Sequence, residues 1–353
     1  MITSERLKVL VAQNGVFVAL LLLIAFFAIA NPRFFSLSNG QTILLQIAEL
    51  GIIALPLAFI VMTASVDLSV GSIASLSAVI SGTIMVGSDS ILLGVAAGLT
   101  VGAVAGALNG FLIAYLGLSP LVVTLGALSV WGGLSLVVTS GATVTGLPQE
   151  FRGLGTATIG PIPLQMIVLI FAILFAAYVL NRRPLGRQVL AIGGNARASR
   201  LLGINVRRVQ LQLFIVSGVV ASLAGIMLSA KLQAASPAIG SGLEIQALTV
   251  VLLGGVAFSG GSGRISGVVA GLLFVGVLRN GLIILGVSPF VQTTLIGLTL
   301  IVGVAMDSSI QRLVRDSWAR TGRRALVEAT EQGSNPAQPF DSTDRAKYEG
   351  KRR

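Results

Sequence analysis

Two carboxylates stand in otherwise apolar sequence. Asp67 lies in Thr63-Ala-Ser65-Val-Asp67-Leu-Ser69-Val-Gly71-Ser72, and Glu244 lies in Gly240-Ser-Gly242-Leu-Glu244-Ile-Gln246. An ionised carboxylate in hydrocarbon costs about 2.5–3.5 kcal/mol or more, so each must find hydrogen-bond partners or water. Both precede or open an apolar run. The favoured expectation is therefore structural: each acid accepts backbone N–H groups at a helix N-terminus, with Ser69 or Gln246 alongside. Contact with a solute or ion is the competing role. Glu49 and Gln46 share a helix face, and Asn109, Thr124, Asn280, Gln292, Thr293 and Thr294 add uncharged hydrogen-bonding groups. Together they suit a wet passage for a neutral polar molecule, although a single threonine in a helix usually bonds its own i−4 carbonyl. Asp67, Asn109, Thr124, Glu244 and Asn280 are the candidates for shaping such a path.

Other chemistry is closed to this chain. It has no histidine and no cysteine, which excludes imidazole or thiol catalysis, zinc and iron–sulfur sites and disulfides. No catalytic, metal-binding or cofactor-binding residue is expected. No Gly-rich loop ends in Lys-Ser or Lys-Thr, so the polypeptide has no ATPase site of its own. The run from Gly254-Gly255 to Gly260-Gly261-Ser262-Gly263 superficially matches a dinucleotide fingerprint. It lacks the strand and the following acid and is expected to be a tight cytoplasmic turn.

The elements that hold these residues follow from composition. Of 353 residues 54% are hydrophobic and 10% charged, with 43 glycines, against roughly 25% charged in a soluble domain. Apolar segments fall at 12–30, 42–63, 70–87, 91–116, 120–140, 163–181, 209–230, 245–258, 266–287 and 290–307. A hydrocarbon core of ~30 Å needs ~20 helical residues, so the third and eighth segments are expected to be short. The net charge of +11 is concentrated. Arg182, Arg183, Arg187, Arg197, Arg200, Arg207 and Arg208 share one loop without an acid, and ten basic residues against seven acids follow from Asp307. Basic loops stay in the cytoplasm, which places residues 182–208, the C-terminal tail and, through Arg6 and Lys8, the N-terminus on that side. Six spans before the arginine loop and four after it meet this condition. The segment ending Ala28-Ile29-Ala30 also fits a cleaved signal peptide, a less favoured alternative. From about Gly322 the tail is too polar to fold and is expected to be disordered.

An internal repeat divides the body. Asn109-Gly110 through Gly117, Ser119-Pro120 and Thr124 matches Asn280-Gly281 through Gly286, Ser288-Pro289 and Thr293, about 170 residues later. Gly94, Gly98, Gly102, Gly106 and Gly110 recur every four residues, as do Gly263, Gly267 and Gly271, which suits close helix packing. Five spans per half is an odd number, so the halves lie inverted across the membrane. The expected fold is an all-α polytopic membrane protein of about ten transmembrane helices in two inverted five-helix repeats. Residues 1–11 form a cytoplasmic N-terminus and 12–308 the membrane domain, with halves at 12–140 and 163–307. Residues 309–353 form the tail.

Within the arginine loop, Asn195 caps a short helix over Ala196, Arg197, Ala198, Ser199, Arg200, Leu201 and Leu202, and Gly203 ends it. Charge alone would fix topology. A capped amphipathic helix is more than charge requires and suits docking into a partner's groove.

Val66-Asp67-Leu68-Ser69-Val70-Gly71-Ser72, Asn109-Gly110, Ser119-Pro120 with Thr124-Leu125-Gly126, Ala191-Ile192-Gly193-Gly194-Asn195, and Gly254-Gly255 with Gly260-Gly261 resemble permeases of bacterial ABC importers for monosaccharides, the ribose, xylose and galactose branch. The resemblance spans about Gly15 to Asp307. It implies an inner-membrane subunit, embedded in lipid, that pairs with a second copy or a paralogue. It also implies a periplasmic sugar-binding protein, and a cytoplasmic ATPase docked on residues 195–203. Transport would proceed by alternating access, without a cofactor. Gln246 stands where the family often has an acid, and Val256-Ala257-Phe258 replaces a more usual small-hydroxyl run. These departures leave the sugar open, since rhamnose, sugar-alcohol and autoinducer-2 permeases share the scaffold. Nucleic acid is not an expected partner. Two rivals remain: an ion-coupled secondary carrier, disfavoured by the scarcity of paired charges at depth, and a membrane-embedded enzyme or anchor.

Overall fold

The computed structural model describes the backbone of residues 4–305 and the side chains of residues 15–305, within one compact unit, Met1–Asp307. The expected polar tail lies outside the described residues. The elements are α1 (Ser4–Ala30), α2 (Leu37–Met62), α3 (Val70–Ser88), α4 (Ile91–Ala114), α5 (Pro120–Thr139) and α6 (Arg152–Thr156). A two-residue antiparallel hairpin follows, β1 (Thr158–Ile159) and β2 (Ile162–Pro163). Then come α7 (Leu164–Arg182), α8 (Pro184–Gly194), α9 (Ala196–Leu201), α10 (Val206–Leu232), α11 (Leu243–Leu253), α12 (Ile265–Ile284) and α13 (Pro289–Ala305).

Local chemistry sets the helix ends. Ser36 Oγ accepts the Asn39 N–H at 3.3 Å to open α2, and Asn205 Oδ1 accepts the Arg208 N–H at 3.0 Å to open α10. Such side-chain acceptors satisfy amides that a helix start leaves without carbonyls. The helices α4 and α12 stop alike. Each runs into a left-handed glycine, Gly117 at φ 73° or Gly286 at φ 72°, and then a Ser-Pro pair that opens the next helix.

Seven helices are long and apolar enough to cross a membrane: α2, α3, α4, α5, α7, α10 and α12. Shorter apolar helical stretches lie at Gly15–Ala30 within α1, at α11 and at α13. The expectation of a short third segment is corrected, because α3 has 19 residues. Its N-terminal boundary is set by the bend at 63–69, and its apolar run continues to Ser88. The eighth segment is indeed short, 11 residues in α11.

Packing places α2, α3 and α10 at the centre, largely buried, while α4, α5 and α7 lie outside them with most of their apolar length exposed. The outer helices present Leu92, Val122, Phe171 and Phe175 outward, an apolar surface too continuous for water. The glycine series of α4 lies against α3 and α10. A Cβ at Gly102 would strike the Gly218 carbonyl, and one at Gly106 the Phe214 carbonyl. In the second half Gly267 and Gly271 meet the carbonyls of Gly254 and Val250, which joins α12 to α11. The helix α4 packs on α3 and α10, while α12 packs on α11 and α2; α2 and α10 pack on each other. Both α1 and α7 lie on the α2 and α12 side.

Candidate functional site

The bend between α2 and α3 carries Asp67. Its side chain is buried and fully engaged: Oδ1 accepts the Ser69 N–H at 3.0 Å and the Ser69 hydroxyl at 2.6 Å, and Oδ2 accepts the Ser217 hydroxyl of α10 at 3.0 Å. Asn109 of α4 donates from Nδ2 to Ser69 Oγ at 2.8 Å. Thr124 of α5 donates to the Val66 carbonyl at 3.3 Å and to its own i−4 carbonyl, Pro120, at 2.9 Å. Asp67, Asn109 and Thr124 thus meet in one network that fixes the start of α3 against α4, α5 and α10. Each exposes 1% of its surface or less. Such a network anchors the start of α3 to three neighbouring helices.

Glu244 occupies the first turn of α11 and accepts the Gly242 N–H through Oε1 at 3.1 Å. Its Oε2 abuts Gly71 in the first turn of α3 and is buried without a protein hydrogen-bond partner. Gly240 packs on Gly71 and donates its N–H to Ser75 Oγ at 2.9 Å, so the starts of α3 and α11 touch. Gln246 does not stand beside Glu244 as a cap partner. Its Oε1 instead accepts Arg279 Nη1 of α12 at 3.0 Å. Asn280 joins a different pair, donating to Asn39 Oδ1 of α2 at 2.8 Å. Thr293 and Thr294 return to i−4 carbonyls, and Gln292 donates to the Val287 carbonyl.

One pair was not anticipated. Lys231 Nζ, in the last turn of α10, meets Glu49 Oε1 of α2 at 2.7 Å, with side chains 31% and 14% exposed. Lys231 and Arg279 each stand alone in a long uncharged run of sequence, and that isolation is the signal that would have found them.

At the other end of α10 the arginine loop forms two helices. Pro184 opens α8, which buries Gly186, Val189 and Ile192 on one face, and Arg183 lies over the Tyr178 ring at 5.0 Å. Asn195 Oδ1 accepts the N–H groups of Arg197 and Ala198, both at 3.0 Å, and Gly203 follows α9 at φ 81°. The helix runs from Ala196 to Leu201, with Leu202 as its C-cap. Ser199 is buried, while Leu201 and Leu202 are 85% and 81% exposed. Two adjacent leucines held in the open beside Arg197 and Arg200 form an apolar knob with a basic rim. At the junction of α8 and α9, Gly193 sits against the Met62 carbonyl and the Gly261 N–H, which are themselves bonded at 2.9 Å. The glycine run 254–263 is a turn with Gly255, Gly260 and Gly261 at positive φ.

Spanning helices packed through glycine faces, with buried polar groups tied into internal networks, define a polytopic helical membrane protein. Residues 39–304 match the family described as branched-chain amino acid transport system / permease component, and the chain belongs to that family. Among similar proteins, the ribose import permease protein RbsC of Bacillus subtilis (strain 168) is 38% identical over 83% of this chain and 92% of its own length. The D-allose transport system permease protein AlsC of Escherichia coli (strain K12) is 36% identical over 85% and 93%. The L-arabinose transport system permease protein AraH of the same strain is 34% identical over 86% and 92%. No solved structure matches.

Proposed function

We propose that this chain is the permease of an ATP-driven importer that moves a monosaccharide or related neutral polyol across the bacterial inner membrane by alternating access. ATP is hydrolysed on a separate cytoplasmic chain that docks on residues 195–203. A periplasmic binding protein delivers the sugar, and a second permease copy or paralogue completes the pore. The capped helix α9 carries this reading, because it projects Leu201 and Leu202 outward where a lone soluble surface would bury or replace them. Relatives named for ribose, allose and arabinose favour a sugar over the amino acids in the family description.

The reading includes ten membrane helices with both chain ends cytoplasmic, counting α1, α11 and α13 with the seven longer helices. It also includes two inverted halves. Three features support the repeat: α4 and α12 end in the same glycine and Ser-Pro turn, α3 and α11 begin face to face, and exchanging α2, α3 and α4 for α10, α11 and α12 preserves their packing pairs. The path then runs beside the helix starts of α3 and α11, near mid-membrane.

The test pairs Leu201→Asp with Leu202→Asp in the chain co-expressed with a candidate ATPase subunit. The expected outcome is loss of co-purified ATPase and of ATP-dependent D-ribose or L-arabinose uptake in proteoliposomes. Retained assembly and uptake overturn the docking assignment. The Glu49 and Lys231 pair is the feature that would favour an ion-coupled carrier. Uptake by the permease alone, abolished by an ionophore, is the result that would establish that alternative.

A further inference from the structure

The outward face of α7 runs without a break into the basic corner that follows it. Phe171, Phe175, Tyr178 and Arg182 recur at intervals of four, three and four, and all four are exposed; that spacing is one side of a helix. Most of the apolar length of α7 is left uncovered by the rest of the chain. Arg182 therefore ends an apolar stripe that faces the membrane. Tyr178, one turn before it, lies under the Arg183 guanidinium at 5.0 Å, which holds that cation over the stripe.

The chain then turns tightly. Gly186 lies on the Leu180 carbonyl, where a Cβ has no room, and Pro184 opens α8 without a side-chain cap. Arg187, next to Gly186, stays exposed, so three guanidinium groups arise within residues 182–187 around one helix end. No side-chain hydrogen bond or ion pair engages any of the three among the described residues. Orientation does not require them at this spot, because Arg197, Arg200, Arg207 and Arg208 already make the loop basic. The helix α4 gives the contrast. It is also largely uncovered, and in the ten-span order it ends on the same side, yet residues 90–149 carry no charge.

Guanidinium forks pair with phosphate oxygens two at a time, and basic residues at a membrane surface attract anionic lipid. A soluble phosphate would leave the adjoining apolar stripe unused, whereas a phospholipid fits both parts. We infer that Arg182, Arg183 and Arg187 bind the headgroup of an anionic phospholipid, with an acyl chain along Phe171 and Phe175 of α7. The arginine loop is thereby divided: this corner holds lipid, and Arg197 and Arg200 rim the α9 knob. The site depends on the membrane setting alone and not on which solute is moved.

Because the chain has no cysteine, one introduced cysteine carries a fluorophore to a chosen place. Leu174→Cys reports on the stripe, and Leu108→Cys, exposed at a similar distance from the end of α4, is the control. The full chain is reconstituted in phosphatidylcholine vesicles with increasing fractions of phosphatidylglycerol or phosphatidylcholine that bears a nitroxide quencher near the headgroup end of one acyl chain. At position 174 the phosphatidylglycerol probe is expected to reach half-maximal quenching at about one-fifth of the phosphatidylcholine fraction, the gain from one basic residue at an anionic surface. Position 108 is expected to show no preference. Arg182→Gln, Arg183→Gln and Arg187→Gln together abolish the preference at 174, while Arg197→Gln, Arg200→Gln and Arg208→Gln, the same change in charge, keep it. Equal quenching by the two lipids at 174, an equal preference at 108, or a preference that survives loss of the corner arginines overturns the site. Absence of quenching by either lipid at 174 overturns it as well, since protein then covers the stripe. The contrast between 174 and 108 is read with every arginine present, so it stands whatever a variant does to folding. Neither ATPase nor sugar enters the measurement, which separates its outcome from that of the transport reading.

Discussion

Asp67 accepts three hydrogen bonds through two oxygens, and the donors serve two mechanical tasks. The Ser69 N–H and hydroxyl fix the first turn of α3, and the Ser217 hydroxyl ties that turn to α10. Removing the carboxylate leaves buried donors without acceptors, at about 1–3 kcal/mol for each group that water cannot reach. Asp67→Ala is therefore expected to destabilise the permease by about 2–4 kcal/mol in mixed-micelle unfolding. Asp67→Asn keeps the Oδ1 contacts and lets the Ser217 hydroxyl turn to accept, so it is expected to lose less than half of that. Equal losses in both variants would show that charge, rather than hydrogen bonding, holds the bend. The acid and its local cap were legible in the sequence because Ser69 lies two residues away. The Ser217 partner was not, since 150 positions separate it from Asp67 and one serine in an apolar helix carries no pairing signal. The partners of Lys231 and Arg279 were not legible either, since Glu49 and Gln246 lie 182 and 33 positions away.

The helices were legible wherever apolar length and glycine spacing agreed. Gly94 to Gly110 at intervals of four share one helix face, and that face is the one α4 presents to α3 and α10. What spacing does not reveal is which carbonyls lie opposite. Gly106 stands against the Phe214 carbonyl, where backbone leaves a methyl group no room, whereas Gly126 in α5 has no atom within 4 Å of an added Cβ. Gly106→Ala is expected to cost about 1–3 kcal/mol by forcing α4 from α10. Gly126→Ala is expected to be neutral or to gain up to about 1 kcal/mol from helix propensity. Thermal unfolding of the two variants in one detergent checks the contrast, and matched losses would refute the close-packing account. The bounds of α3 were legible, 70–87 in the sequence against Val70–Ser88 in the structure, because the bend at 63–69 marks its start. Ser75, Ser77 and Ser81 are buried inside the bundle, away from lipid.

At the scale of the whole molecule, the arginine loop and the central bend share a backbone junction. Gly193 at the end of α8 lies on the Met62 carbonyl and the Gly261 N–H, Gly261 lies on Gly194, and Gly260 lies on Ala64, itself at φ 58°. Met62 and Ala64 lead directly into the Asp67 network, and Gly261 belongs to the turn between α11 and α12. One contact therefore joins the proposed coupling hairpin to both halves of the chain, and it is made by backbone atoms that have no rotamers to absorb a displacement. If an ATPase docks on α9 as proposed, its movement would reach α3 and α11 through this junction. A methyl group at Gly193 would part the Gly261 and Met62 hydrogen bond without altering Leu201, Leu202 or the Asn195 cap. Gly193→Ala is accordingly expected to keep ATPase assembly and ATP hydrolysis while lowering sugar moved per ATP by about 5- to 150-fold, the range of ordinary allosteric coupling energies. Parallel measurement of hydrolysis and uptake in proteoliposomes decides the point. A proportional fall in both would place the defect in docking, and an unchanged ratio at full activity would remove the junction from the coupling route.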